Sequence, residues 1–67
     1  MPETKRYDVA PKPIEAHRIR VLLHCEELHR ETNPAIRATL ALYLAEAATT
    51  LARSEAEEAR RVALSIA

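Results

Sequence analysis

The chain contains no glycine, and beyond Thr32-Asn33-Pro34 its last 33 residues contain no proline either. Glycine and proline are the strongest breakers of regular structure, and alanine, the best helix former, supplies thirteen of the 67 residues. A chain punctuated in this way reads as two helices joined at Asn33-Pro34. Ala, Glu, Lys, Leu and Arg together account for 40 residues, the composition of long or paired helices.

Size sets the next constraint. A single domain of this length lies near the lower limit at which buried surface offsets conformational entropy. Of the 48% of residues that are apolar, the thirteen alanines contribute little volume, fifteen are Leu, Ile or Val, and none is Phe or Trp. The core of one copy is therefore expected to be thin. Cys25 is the only cysteine, so disulfides cannot compensate, and oligomerisation is the remaining route to stability.

Helical phase assigns the faces. The first helix is expected over residues 14–32, opening at Pro13 with Glu15 in its first turn. Ile14, Val21, Cys25 and Leu28 share one apolar face with Leu22 at its edge, while Ala16, Ile19 and Leu23 form a second stripe on the far side. The second helix is expected over 34–65 with Asn33 as its N-cap. Its main face is Ile36, Leu40, Tyr43, Leu44, Ala47 and Leu51, flanked by a row of small residues, Ala41, Ala45, Ala48, Ala52 and Ala59. That row suits close packing by another helix. Ser54, three residues before Glu57, resembles a capping box that would start a third helix, but Val62 stays in phase with Leu51, as an unbroken helix requires. The expected architecture is an all-α helical hairpin, pairing with a second copy into an antiparallel four-helix bundle. Residues 1–13, with Pro2, Pro11 and Pro13, are expected to form an extended arm, which reads most simply as a mobile tail and alternatively as an arm that docks on a partner or on the other subunit through Tyr7 and Val9.

Chemistry-bearing patterns are weak. His17, His24, Cys25 and His29 invite a metal reading, yet they spread too far around one helix to converge without a second chain. The simpler reading makes Cys25 a small buried hydrophobe and the histidines edge residues. Ser54 and Ser65 have no histidine partner in the pattern, and Glu55, Glu57 and Glu58 followed by Arg60 and Arg61 read as a solvated surface. The chain is accordingly expected to be non-enzymatic, with no cofactor and no metal. Its ten basic and ten acidic residues give a net charge of zero, so nothing draws it generally to nucleic acid or membranes. With no apolar leader or membrane-length segment, a cytoplasmic location is expected.

The role expected from these features is that of a small helical interaction protein, a homodimer that binds a larger partner protein and regulates, inhibits or escorts it. Tyr7, Val9, Ile19 and Leu23 are the apolar side chains left over for that contact. The competing reading is a regulator that binds nucleic acid or nucleotide phosphates through Arg18, Arg20 and Arg30.

Overall fold

The computed structural model describes residues 12–66, which form two α-helices, α1 (Pro13–Arg30) and α2 (Pro34–Ile66), packed as an antiparallel hairpin. Tyr7, Val9 and most of the expected arm lie outside the described residues. Helix α1 is about 27 Å long and α2 about 50 Å at the usual rise per residue. The Ser54 signal does not interrupt α2, which runs unbroken through 33 residues. Ser54 instead sits half-buried toward α1.

Both ends of α1 and the start of α2 are tied by side chains rather than by glycine. At the start of α1 the Lys12 N–H donates to Glu15 Oε1 at 3.1 Å, satisfying a donor that the first turn leaves without a helical acceptor. At α2 the Asn33 side chain behaves as expected of an N-cap, with Oδ1 accepting from the N–H groups of Ala35 at 2.9 Å and Ile36 at 3.4 Å. Two further contacts close the connection. The Glu31 carboxylate accepts from the N–H groups of Thr32 and Asn33, and Arg37 Nη1 donates to the carbonyls of Leu28 and Glu31, both at 2.7 Å. Arg37 thereby caps the C-terminal end of α1 from the first turn of α2, a link that joins the helices where they turn. No described residue has a positive φ, so the turn needs no glycine.

The seam between the helices follows a three-and-four spacing. In α1 the half-buried positions are Ile14, His17, Val21, His24 and Leu28; in α2 they are Leu40, Leu44, Leu51, Ser54, Glu55 and Glu58, with Ala47 buried among them. This spacing averages 3.5 residues, the repeat that keeps one stripe of each helix against the other. The expected faces are therefore rotated. Cys25 is exposed rather than buried, and His17 and His24 take seam positions instead of edge positions. Ile36 and Tyr43, placed by phase on the main apolar face, are about half exposed at 46% and 51%. An amphipathic helix in a hairpin covers only the stripe its one neighbour reaches, and residues flanking that stripe stay wet.

The result is a layer one helix deep. Among the described residues Ala47 alone is buried, and the alanine row Ala41, Ala45, Ala48, Ala52 and Ala59 lies exposed rather than against α1. Val62, Leu64 and Ile66 extend beyond the start of α1 and are also exposed. A charge at Leu51 removes one of the few apolar contacts of the seam. Leu51→Asp is expected to cost several kcal/mol and to abolish cooperative unfolding by circular dichroism, whereas Leu42→Asp, at a position 66% exposed, is expected to leave the helical signal intact.

Candidate functional site

The two broad sides of the hairpin differ in chemistry. On one side Arg18 and Glu55 join the helices through a two-pronged ion pair, with Nε to Oε2 at 2.6 Å and Nη2 to Oε1 at 2.9 Å. Residues in phase with Arg18 on α1 are Glu15, Leu22, Cys25 and His29, and those in phase with Glu55 on α2 are Ala41, Ala48, Ala52 and Ala59. All eight are exposed. On the other side Arg20, His24, Tyr43, Glu46 and Thr50 surround a shallow depression of about 210 Å³ floored by Ala47. Here His24 and Tyr43 meet across the seam with ring centres 6.0 Å apart, and His24 Nδ1 lies 2.9 Å from Glu27 Oε1.

Ile19 and Leu23, expected as partner contacts, lie on the outer flank of α1 at 49% and 55% exposure. With Ala16, Arg20, His24 and Glu27 they line an open groove of about 510 Å³. The structure thus brings the two together as one apolar strip with a charged border. A larger groove of about 820 Å³ lies where α2 runs past the start of α1, between Lys12, Ile14 and Arg18 on one wall and Ser54, Arg61 and Leu64 on the other. Charged residues dominate that groove, and Arg61 is already paired with Glu58 within α2.

The three arginines of the phosphate reading do not converge. Arg18 is held by Glu55, Arg30 Nη2 lies 3.4 Å from Glu26 Oε2, and Arg20 faces the opposite side of the hairpin from Arg18. Cys25 and His29 are four residues apart on α1, but among the described residues no three His, Cys, Asp or Glu side chains gather in a group that could hold a metal ion. No described helix is long and apolar enough to cross a membrane.

Two structural contacts are not legible in the sequence. The Arg18–Glu55 pair joins residues 37 apart, and no local spacing connects them. Arg37 is four residues after the N-cap Asn33, a position at which helical phase assigns no role. Both become legible only when the two helices are antiparallel and in register. No family model matches the chain, and no curated protein or solved structure matches it either.

The ion pair also sets a pH response. Hydrogen bonding to Arg18 holds the Glu55 carboxyl below its ordinary value, with the charge of Arg18 adding to the effect and desolvation opposing it. A depressed carboxyl contributes stability that is complete above its unfolded pKa and is lost as pH falls through the lower folded value. Thermal melts of wild type and Glu55→Gln should therefore differ most near neutral pH and converge in acid. A difference that persists unchanged in acid would assign the effect to packing instead.

Proposed function

We propose that this chain acts as a non-enzymatic helical interaction protein: a homodimer that forms an antiparallel four-helix bundle and binds a larger protein to regulate, inhibit or escort it. The observation that carries the reading is the burial deficit, with Ala47 alone buried and nine large apolar side chains exposed among the described residues. One hairpin covers a single stripe on each helix, so most of its large apolar side chains stay in water, where they contribute little against the entropy of ordering the chain. Covering by protein supplies what the hairpin lacks.

Two apolar regions call for two occupants. A strip one helix wide, such as Ile19 and Leu23 on α1, matches the groove-and-helix mode of protein recognition, in which a few apolar anchors dock against a partner. The broader two-helix side is suited to a second copy. Tyr7 and Val9, on the segment that leads into α1, are the further contacts proposed for the larger partner, with Tyr7 as the aromatic anchor. The borders of the Ile19–Leu23 strip contain Arg20 and Glu27, one charge of each sign, which favours a partner surface without a strong net field.

Affinity capture from host lysate is the direct test. Wild type should retain a defined protein at both low and high salt and after nuclease treatment, because an apolar contact lacks the steep salt dependence of phosphate binding. Ile19→Ala combined with Leu23→Ala should reduce capture at least tenfold while helicity and mass by light scattering stay those of wild type. Tyr7→Ala should weaken capture in the same way. Capture lost on nuclease treatment, or abolished by modest salt, would replace this reading with nucleic-acid binding.

A further inference from the structure

We infer that the second copy covers the Arg18–Glu55 side of the hairpin, with α1 of each copy lying on α2 of the other so that Leu22 packs against Ala48 across the interface. This rests on the homodimer proposed above and specifies the face, the helix order and the register. The ion pair fixes which side is meant. It closes the seam on the side where Leu22 and Cys25 of α1 adjoin Ala41, Ala48 and Ala52 of α2, and there the two helices present small and aliphatic side chains together.

Area selects this side over the alternatives. Where α1 of each copy lies on α2 of the other, two helices about 10 Å wide side by side along ~27 Å give a flat footprint of about 540 Å². Side chains corrugate that footprint, so its accessible surface exceeds the flat figure and approaches the roughly 600–800 Å² per partner of a specific interface. The Ile19–Leu23 strip, one helix wide, offers about half as much. The opposite broad side is large enough, but its α2 half carries Tyr43, Glu46 and Thr50 where the proposed side carries alanines. The charges on the proposed side include Arg18 and Glu55, which already satisfy each other through two hydrogen bonds.

Side-chain size selects the helix order. The α1 half of the face bears the larger side chains Arg18, Leu22 and Cys25, with Glu15 and His29 at its two ends, whereas the α2 half bears alanines. If like lay on like, the alanine half would close toward 8 Å while the α1 half stayed near 10 Å, and one hairpin cannot satisfy both spacings. A twofold axis parallel to the helices instead sets the larger half of each copy against the alanine half of the other, which makes the spacing uniform and the contact self-complementary. All four neighbouring helix pairs are then antiparallel.

The same axis fixes the register, because rotation about it leaves every residue at its own level along the bundle. Arg18 meets Glu55 and the His24 ring meets that of Tyr43, so Leu22 lies level with the middle of the span between them, near Ala47 and Ala48. In the assembled bundle Leu22 consequently faces Ala48 of the second copy. Cys25, exposed in the single hairpin, becomes covered.

The test uses the full chain in light scattering, circular dichroism and thiol labelling. Wild type should have twice the 7.5 kDa chain mass, and Thr50→Arg, on the polar side, should keep that mass. Leu22→Lys and Ala48→Glu should each be monomeric, and mixing the two should restore a dimer, since each mixed interface contains one Lys–Glu contact and one Leu–Ala contact. Independently of any variant, Cys25 of the wild-type dimer should react with a maleimide at least tenfold more slowly than in denaturant. A monomeric wild type would remove the homodimer itself. A dimeric wild type with a fully reactive Cys25 would overturn the face alone, as would loss of the dimer in Thr50→Arg but not in Leu22→Lys or Ala48→Glu. Helical single variants that fail to pair on mixing would overturn the helix order.

Discussion

A helix in a two-helix hairpin has one neighbour, and everything else about this protein depends on that geometric limit. The contact covers a single stripe on each helix, following three-and-four spacing from Ile14 to Leu28 and from Leu40 to Glu58. Even along this stripe the side chains remain half-exposed, because nothing closes the layer above or below. Among the described residues only Ala47, small and central, falls below the surface. A third and fourth helix would convert the same stripe into a core without changing any backbone contact within the hairpin.

Polar groups hold the hairpin in register while the apolar seam supplies attraction. Arg37 donates to two carbonyls at the end of α1, Asn33 caps the start of α2, and Arg18 grips Glu55 near the open end. These contacts lie at opposite ends of the overlap between the helices. The arrangement resists sliding, since a shift of one residue would break the Arg18–Glu55 pair and turn the seam residues away from one another. Register also places Leu22 level with the alanines of α2, while helical phase keeps Ile19 and Leu23 on another flank of α1.

The apolar surface left over is divided rather than scattered. Ile19 and Leu23 occupy a narrow outer flank, whereas Leu22, Cys25 and the alanine row occupy a broad face bounded by an ion pair. Surfaces of such different width suit different occupants, a helix or loop of a larger protein on the strip and a second hairpin on the face. Under the proposed function, that separation would let assembly and partner binding use different surfaces of one small molecule. It also gives the histidines a structural place, since His24 spans the seam to Tyr43 on the polar side.

The all-helical class, the turn at Asn33-Pro34 and the Asn33 cap were legible in the sequence, because breakers, caps and helix propensity are local properties. The exposed Ile19–Leu23 stripe was legible too, as helical phase sets it opposite any face built around Ile14 and Leu28. Phase alone, however, could not choose the seam among overlapping stripes: it put Cys25 inside and His24 at the edge, and it assigned Ile36 and Tyr43 to a covered face. Only the antiparallel packing of α1 on α2 decided these positions, because the line of closest approach depends on where both helices touch. The unbroken run of α2 through Ser54 was legible as well, from the phase of Val62 with Leu51, whereas the packing alone joined Arg18 to Glu55 across 37 residues of sequence. Local preference made the helices; which residues they cover follows from the presence of exactly one neighbour.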